Sequence, residues 1–438
     1  MDCSAVATCM LLLRRARVPA ALLPPALHPA PVDPLEPTVL CDIRIEGRRI
    51  VAVGPPGPAP DQGSEWVDLD GALSFPGLVD AHVHLDKAHT WERAPNRSGT
   101  FAEALATLAR DRANWTGTDL MRRAGFALQC AWAHGTRIVR THVDTGLPWA
   151  ETSHAVMQDL RGRWSGLIDL QTVPLCAGAD YSGTDGERIA DLSLRHGACA
   201  LGGFFVMADG LAAQLDRLMA IARDRGVGLD LHVDENGDPG AEVLRAVAEA
   251  VLRNEFPHPV ACGHGCSLAT QAVDRQRSTI DLVRRARIGV VSLPLCNLYL
   301  QDRRGSGFPR TPFWRGLTLV KDLLDAGVPV ACASDNVRDA FFAYGDLDAA
   351  EVYIQSVRLA HLDDRIGESV RVVTSTAADL VGRPESGRIA PGAPAHLVVF
   401  AARSFSELLS RPAGRRRCVD GETIHATPPP DFAALAAP

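Results

Sequence analysis

Eight short apolar runs, separated by longer helical patterns, occupy the sequence between residues 73 and 335. The runs are LSFPGLVDAHVH (73–84), RIVRTHVD (137–144), IDLQTVPL (168–175), ALGGFFV (200–206), VGLDLHVDE (227–235), PVACGHG (259–265), IGVVSLPL (288–295) and VPVACASD (328–335). Such runs predict strands, and strands that alternate with helices predict βα units and a parallel sheet. Eight units are the number that closes a (β/α)8 TIM barrel, so we predict an α/β fold of that class.

The two ends of the chain differ from this middle part. The N-terminal part is rich in proline and turn residues around the β-like piece VLCDIRIEGRRIVAVG, and the C-terminal part returns to that style in GRIAPGAPAHLVVFAA. We predict a small β-sandwich domain built from both termini, residues 1–72 and 379–438, around a barrel at 73–378. The last segment, TPPPDFAALAAP (427–438), is predicted to be a loose tail.

Composition argues against several classes of protein. The formal charge of −7 does not provide the basic surface that a nucleic-acid partner requires. No run of about 18 uncharged apolar residues predicts a membrane span. Eleven cysteines scattered along the chain are an odd number and do not suggest a compact disulfide framework. Since the N-terminus also lacks the charge order of a signal peptide, we predict a cytoplasmic protein.

Ionisable residues stand at the C-terminal ends of the strand-like runs. They are His82, His84, His142, Asp144, His232, Glu235, His264 and Asp335. In a barrel these strand ends meet at one mouth, where the catalytic residues of this fold lie. His82 and His84 are two positions apart, so they project from the same side of a strand, as two ligands of one metal ion would. The sequence therefore predicts a metal site at the mouth.

Three imidazoles and one carboxylate, with a position left for water, are offered by His82, His84, His232 and Asp335. This donor set suits Zn²⁺ or Fe²⁺ better than Mg²⁺ or Ca²⁺, which prefer oxygen ligands. A divalent ion lowers the pKa of its water to about 7. Glu235 is then a candidate general acid or base, the alternative being a surface or N-capping carboxylate. His264 is a candidate partner of the attacking hydroxide, the alternative being a structural histidine.

Lysine is scarce in this chain and is found only at positions 87 and 321. A barrel of this kind that binds two metal ions commonly uses a carboxylated lysine on its fourth strand as the bridging ligand. The fourth run, ALGGFFV, contains no lysine, and none occurs between positions 88 and 320. We therefore predict one divalent metal ion.

The segments PGLVDAHVHLDK, DLHVDE, CGHG, NLYLQDR and SDNVRD occur in this order, and together they resemble the amidohydrolase superfamily. More closely, they are similar to its bacterial cytosine deaminase branch, and the likeness covers most of the chain. The resemblance implies an enzyme with a single Fe²⁺ or Zn²⁺ that replaces a ring amino group by oxygen. Hydroxide held by the metal would attack the ring carbon, and ammonia would leave.

The resemblance also assigns roles to individual residues. It implies that the metal is held by His82, His84, His232 and Asp335. Glu235 would protonate the ring nitrogen beside the attacked carbon, and His264 with Asp335 would activate the hydroxide. The residues that it implies at the substrate are Phe341, which would lie against the heterocycle, Asn336, Ala177 and Asn297.

Two positions depart from the branch. Cytosine deaminases carry a glutamine after the third strand that reads the pyrimidine, whereas Ala177 stands there in this chain. The second aspartate beside the metal-binding one is replaced by Asn336. Because a ring whose polar groups lack partners is held poorly, cytosine is not the expected substrate. We expect a different cyclic amidine, such as a substituted pyrimidine, a purine or a creatinine-like ring.

Two other functions stay open at this stage. The same metal chemistry would also hydrolyse an N-alkylamine or a cyclic amide, and a non-catalytic barrel would serve as a binding module. The expected partner is a small heterocyclic substrate, and a homo-oligomer is implied by the relatives. The roles of Lys87, His89, Arg140 and His142 are not assigned by the sequence.

Overall fold

The structure is a computed structural model that describes residues 10–27, 33, 35–58, 65–146, 149–303 and 310–436. Its strands are β1 (Met10–Pro19), β2 (Thr38–Glu46), β3 (Arg49–Gly54), β4 (Glu65–Asp68), β5 (Ser74–Pro76), β6 (Leu78–Val83), β7 (Thr136–Asp144), β8 (Asp169–Leu175), β9 (Ala200–Phe205), β10 (Gly228–Val233), β11 (Val260–His264), β12 (Gly289–Ser292), β13 (Val330–Cys332), β14 (His396–Phe400), β15 (Arg416–Asp420) and β16 (Thr423–His425). Each of the eight predicted strand runs overlaps one of the strands β6 to β13.

Helices separate these strands, as the sequence predicts. They are α1 (Phe101–Asp111), α2 (Gly117–Ala133), α3 (Ala150–Arg163), α4 (Thr184–Arg195), α5 (Leu211–Asp224), α6 (Val243–Arg253), α7 (Val273–Arg285), α8 (Pro294–Leu300), α9 (Val320–Asp325), α10 (Ala349–Ala360), α11 (Ile366–Ser369), α12 (Ser375–Leu380) and α13 (Phe405–Ser410). Threonine caps define two of the starts. Thr100 accepts a hydrogen bond from the Glu103 N–H at the start of α1, and Thr116 accepts one from the Asp119 N–H at the start of α2.

The eight central strands form two parallel sheets, in the orders β6-β7-β8 and β13-β12-β11-β10-β9. At one seam, Val83 pairs in parallel with Asp335, and the Asp335 N–H donates to the His82 carbonyl at 2.9 Å. At the other seam, Ala177 pairs in parallel with Phe204. The prediction of an α/β fold with parallel strands is confirmed, and the seams join the sheets as a TIM-barrel-type fold requires.

The terminal strands form two further four-stranded sheets, β3-β2-β1-β4 and β16-β15-β14-β5. Along β2, buried Val39, Cys41, Ile43 and Ile45 alternate with more exposed residues, the pattern of a strand with one face on a core. The short strand β5 pairs with β14, so a division after residue 76 would keep this sheet whole, whereas the predicted division at 72 cuts it. The domain ranges themselves remain a prediction.

The predicted C-terminal tail is mostly exposed in the part of it that the structure describes, but one of its side chains contacts the rest of the protein. Phe432 lies in a short helical turn, with its ring centroid 5.6 Å from that of Phe126 and 6.2 Å from that of His89. The Arg338 guanidinium lies 4.3 Å from the centroid of the Phe432 ring. Phe432 therefore contacts helix α2 and the loops that follow the first and eighth barrel strands.

None of the helices in the described ranges is long and apolar enough to cross a lipid bilayer. The buried side chains instead form continuous hydrophobic clusters around the central strands, and the largest of these clusters also includes side chains of the terminal sheets.

Candidate active site

The first barrel strand brings two histidines to the carboxyl end of the sheet. His82 lies within β6 and His84 follows one residue after the strand ends, and both side chains are buried. They alternate with Val83, so both imidazoles emerge on the same side. The predicted pair of histidines therefore enters one shared space.

The four predicted metal ligands converge in that space. The His232 Nε2 lies 3.0 Å from the His82 Nε2 and 3.2 Å from the His84 Nε2. The Asp335 Oδ1 lies 3.2 Å from the His84 Nε2 and 3.8 Å from the His82 Nε2. Four ligand atoms at about 2.1 Å from a tetrahedral ion are ~3.4 Å apart, so these separations suit a single divalent cation.

The orientation and the neutral state of the imidazoles also fit a metal site. Among the described residues, the Nδ1 atoms of His82, His84 and His232 are buried and have no hydrogen-bond partner, while their Nε2 atoms face one another. Burial, reinforced by the neighbouring imidazoles, holds the pKa of His82 and of His232 well below the ordinary range. Neutral imidazoles offer lone pairs, which is the form in which histidine binds zinc or iron.

Glu235 and His264 lie beside these ligands. The Glu235 Oε2 is 3.6 Å from the His264 Nε2. Burial raises the pKa of Glu235 to about 7, with His264 opposing the rise and Asp335 adding to it. A carboxyl group with a pKa near neutrality is suited to move a proton in either direction. The structure thus brings the predicted acid–base residue into contact with the predicted partner of the hydroxide.

Asn297 contacts a catalytic candidate. Its Oδ1 lies 3.1 Å from the His264 Nδ1, which fits donation from the ring N–H to the amide oxygen. The Thr318 hydroxyl donates to the His264 carbonyl at 2.6 Å. The contact with Asn297 orients the imidazole with its Nε2 towards Glu235, and the contact with Thr318 fixes the main chain at His264. The sequence predicts that Asn297 contacts the substrate. The structure shows that Asn297 contacts His264, and the substrate contact stays a prediction.

Two of these strand ends carry an unfavourable backbone conformation. His264 has a φ of 71° and Asp335 a φ of 65°, in the left-handed region that residues other than glycine rarely occupy. Both are buried at the carboxyl ends of their strands. Such conformations cost on the order of 1–3 kcal/mol and cluster at functional sites, where they aim a side chain.

The loop after β13 positions the predicted aromatic residue. The Phe341 N–H donates to the Asp339 Oδ1 at 2.8 Å, and the Asn336 amide donates to the Asp339 Oδ2 at 2.7 Å. Burial raises the pKa of Asp339 to about 7, although these hydrogen bonds act in the opposite direction. Asn336 is therefore engaged with its own loop, and Phe341 is buried beside it. Asp339 was not identified from the sequence.

Ala177 lies at the end of the third barrel strand, as predicted. It is half-buried, its N–H donates to Asp180 at 3.0 Å, and it pairs with Phe204 on the neighbouring strand. Its methyl group offers no hydrogen bond to a ligand. The position therefore lacks the polar function that a glutamine would supply.

Two further residues reach the cluster without having been assigned to it. The His142 ring centroid lies 4.0 Å from that of His82 and 4.6 Å from that of His232. Cys296 has its thiol within 4.8 Å of carboxylate oxygens of Glu235 and Asp335. His142 had its position at a strand end as a signal. The only signal that the sequence offers for Cys296 is its place directly before Asn297.

Comparison with known proteins agrees with this geometry. Residues 181–421 match the model of the amidohydrolase family. A pterin deaminase of Rhizobium rhizogenes (strain K84) is 45% identical over 378 residues, covering 86% of this chain and 85% of the relative. An N-isopropylammelide isopropyl amidohydrolase of Pseudomonas sp. (strain ADP) is 25% identical, covering 83% of this chain and 88% of the relative.

A solved structure extends the likeness to the fold. A 5-methylcytosine deaminase from Klebsiella pneumoniae, liganded with 5-fluorocytosine, superimposes with a TM-score of 0.81 at 23% identity. The match covers 97% of this chain and 100% of that one. The resemblance that the sequence motifs indicated is thus confirmed. The chain belongs to the amidohydrolase family and is a hydrolase of carbon–nitrogen bonds.

Proposed function

We propose that this protein is a metal-dependent hydrolytic deaminase of a nitrogen heterocycle, with pterin (2-amino-4-oxopteridine) as the leading substrate. The observation that carries the proposal is the convergence of three imidazoles and a carboxylate beside Glu235. The 45% identity to a pterin deaminase supports the choice of ring. In pterin, the amino group sits on a ring carbon that is doubly bonded to nitrogen, so it is a cyclic amidine.

The proposed reaction adds water across that carbon–nitrogen double bond. The water oxygen bonds to the ring carbon and a proton goes to the ring nitrogen. The hydroxyl proton then moves to the amino group, the bond between carbon and the amino nitrogen breaks, and ammonia leaves. Pterin and water would therefore give 2,4-dioxopteridine and ammonia.

The ligand residues would be His82, His84, His232 and Asp335, which would hold one divalent ion, Zn²⁺ or Fe²⁺. Their separations and neutral imidazoles support this assignment. When bound, such an ion supplies hydroxide at neutral pH by lowering the pKa of water.

The remaining steps fall to residues of the chain itself. Glu235, whose pKa of about 7 leaves it partly protonated at neutral pH, would give the proton to the ring nitrogen. His264, held by Asn297 and 3.6 Å from Glu235, would accept a hydrogen bond from the attacking water at its Nε2, and Asp335 would help to remove the proton of that water. Phe341 would stack on the ring, with Asn336 and Ala177 beside the substrate.

The experiment is ammonia release from a panel of rings by Zn²⁺-loaded and Fe²⁺-loaded protein. The panel holds pterin, cytosine, 5-methylcytosine, isoguanine and creatinine, and each product is identified by its mass. We expect the highest kcat/KM with pterin and a product in which oxygen replaces the amino group. Full activity of Glu235→Gln, or no ammonia from any ring by protein that contains metal, would contradict the proposal.

A second candidate is hydrolysis of an N-alkylamine or a cyclic amide. The 25% identity to an N-isopropylammelide isopropyl amidohydrolase supports it. The water would attack in the same way, but the leaving group would be an alkylamine or a ring nitrogen. Isopropylamine released from N-isopropylammelide, with no ammonia from pterin, would favour this candidate.

The domain arrangement and the location of the enzyme are also proposed. We propose that the two terminal sheets form one small β-sandwich domain, since β5 from the N-terminal half pairs with β14. A cytoplasmic location agrees with the free thiols of the described cysteines. A homo-oligomer and the absence of a nucleic-acid or membrane partner remain predictions from the sequence.

A further inference from the structure

The side chain of Lys87 is an ammonium group buried next to the candidate active site. It follows His84 by three residues in the loop after β6, and only 5% of the side chain is exposed. Its Nζ donates to the Asp144 Oδ1 at 2.9 Å. Buried lysines are rare because desolvation of the charge is costly, so each one calls for a physical reason.

The hydrogen bonds of this ammonium group are incomplete. Lysine has three N–H donors, yet among the described residues the Nζ of Lys87 has one acceptor, Asp144. The charge of Asp144 is shared, because its Oδ2 also accepts from Arg112 at 2.6 Å. Two donors of a buried cation are therefore available to a molecule that enters the site, and leaving them unmet costs free energy.

The ammonium group retains its charge in this environment. Burial lowers the pKa of Lys87, but Asp144 and Asp86 outweigh burial and hold the pKa above its ordinary value. Asp339 acts in the same direction. The group is thus a cation throughout the neutral range, able to donate charge-assisted hydrogen bonds.

Lys87 borders the surface on which the ring is proposed to stack. Its Nζ lies 5.5 Å from the centroid of the Phe341 ring. Its charge also lowers the pKa of Glu235, which lies across the site. A ring bound beside Phe341 would therefore have this cation as a neighbour and the acid–base residue within electrostatic range.

The main chain around Lys87 is held rigidly. The Arg123 Nη1 donates to the carbonyls of Asp86 and Ala88, each at 2.8 Å, which are the residues on either side of Lys87. Arg123 is itself buried and bonded to Asp119 at 2.9 Å. A lysine fixed in this way loses little additional entropy when it binds a ligand, as a recognition residue should.

The choice of lysine at this position is also informative. The chain has 45 lysines and arginines, of which only Lys87 and Lys321 are lysines. Lys321 is on the surface and pairs with Asp364. All the others are arginines, including Arg123, which bonds the main chain of this loop. Lysine presents a compact ammonium with three donors, whereas arginine presents a larger planar guanidinium, so the two side chains would meet a bound ring with different geometry.

We infer that Lys87 is the specificity-determining residue of the proposed deaminase, donating a hydrogen bond to the 4-oxo oxygen of a 2-amino-4-oxo heterocycle stacked on Phe341. Lys87 would recognise the ring carbonyl, as does the glutamine that cytosine deaminases carry at the place of Ala177. The inference rests on the proposed function. It predicts which rings the enzyme accepts, namely those with a carbonyl group on the ring carbon that is joined to the attacked amidine carbon through one ring nitrogen.

The test compares two rings in three variants. Pterin carries the 4-oxo oxygen and 2-aminopteridine lacks it, and the variants are Lys87→Met, Lys87→Arg and the surface control Lys321→Met. We expect Lys87→Met to lower kcat/KM for pterin by about 10- to 150-fold, as the loss of a charge-assisted hydrogen bond would. Turnover of 2-aminopteridine should change less than threefold, and Lys321→Met should match the parent with both rings.

Lys87→Arg keeps a positive charge beside Asp144. It therefore controls for a loss of activity that is caused only by misfolding. We expect it to keep the melting temperature and metal content of the parent and yet to lose most of the preference for pterin. The inference is overturned if Lys87→Arg discriminates between the rings as well as the parent does. It is also overturned if Lys87→Met slows both rings equally, since that is the result of a merely structural role.

A binding measurement separates this inference from the proposed function. The intrinsic fluorescence of 2,4-dioxopteridine, which has the same 4-oxo oxygen, reports its binding to the metal-loaded protein without any turnover. We expect Lys87→Met to weaken that binding by at least tenfold. If the parent binds this compound and the variant does not, but pterin yields no ammonia, the recognition role stands while the proposed reaction fails. Equal binding by both proteins would overturn the recognition role.

Discussion

The barrel interior contains two layers of buried polar side chains, and the two layers satisfy their hydrogen bonds in different ways. In the inner layer, the Arg140 guanidinium donates to Gln171 at 2.9 and 3.0 Å and to Asp230 at 3.0 Å, and the Gln171 amide donates to the Val381 carbonyl. In the outer layer, the Nε2 atoms of His82 and His232 face each other, and both carboxylate oxygens of Asp335 and the His264 Nε2 are buried without a hydrogen-bond partner among the described residues.

The difference separates polar groups that support the fold from polar groups that are available for chemistry. A buried charge with partners has been compensated within the protein, whereas buried groups without partners cost free energy that only a ligand returns. His142 lies between the layers, with its Nε2 3.6 Å from Asp230 and its ring against His82. We therefore expect changes in the inner layer to affect stability, and changes in the outer layer to affect metal binding and turnover.

The largest effect is expected from His232→Ala. Without a complete ligand set the metal is lost, and the pKa of the attacking water returns from about 7 to near 15.7. Turnover should therefore fall by at least about 10³-fold. Metal content, measured by elemental analysis, should fall with it. In chelator, however, the variant should melt no lower than the parent, because it removes one of three crowded imidazoles. A large drop in the melting temperature of the metal-free variant would show that His232 in the outer layer also supports the fold.

Glu235→Gln is expected to lower kcat by about 10²- to 10⁴-fold, the usual contribution of a general acid or base. The amide retains the size of the side chain but cannot move a proton, so metal content and melting temperature should remain those of the parent. The matched control is Glu242→Gln, which changes a partly exposed carboxylate that pairs with Arg275. Equal losses in the two variants would show that the role assigned to Glu235 is wrong.

Arg140→Met tests the inner layer. It leaves Asp230 buried without its partner, which should reduce the free energy of unfolding by about 3–5 kcal/mol in urea titrations. The double variant Arg140→Met/Asp230→Leu removes both charges and should recover most of that loss. At a temperature where the single variant is folded, its kcat should stay within about threefold of the parent. A single variant that is stable but inactive would assign Arg140 to the chemistry.

Much of the barrel could be predicted because its signals are local. Each of the strands β6 to β13 is a short apolar run in the sequence, and ionisable residues mark where several of these strands end. Strands closed into a barrel must bring those ends together, so His82, His84, His232 and Asp335 could be grouped without coordinates. Their grouping depends on topology and not on the conformation of any single loop.

The features that could not be predicted depend on contacts between distant segments. Phe432 packs against residues more than 90 positions away in the chain, and nothing in its neighbourhood distinguishes it from a loose tail. The three-residue strand β5 is too short to carry a periodic pattern. Cys296 looks like any buried thiol until the fold places it near Glu235 and Asp335. The contacts of such residues can be identified only from the tertiary structure.

A second cluster of charges, in which Asp119 accepts hydrogen bonds from Arg93 and Arg123, gives the smallest expected effect. This effect depends on pH. Burial raises the pKa of Asp119, but hydrogen bonds from Arg93 and Arg123 outweigh burial and lower the pKa to about 2. Because the unfolded chain titrates near pH 4, the folded state binds fewer protons between pH 4 and pH 2, and stability falls as the pH falls through that window.

Asp119→Asn should therefore cost on the order of 1–2 kcal/mol at pH 6, and the difference from the parent should shrink as the pH falls towards 2, where the parent carboxylate becomes protonated. Urea unfolding at a series of pH values measures this difference. Because Arg123 also bonds the carbonyls of Asp86 and Ala88, the substitution should loosen the loop that carries Lys87 and modestly raise the KM for pterin. A difference in stability that does not vary with pH would mean that the charge of Asp119 contributes nothing, and that the cluster is held by packing.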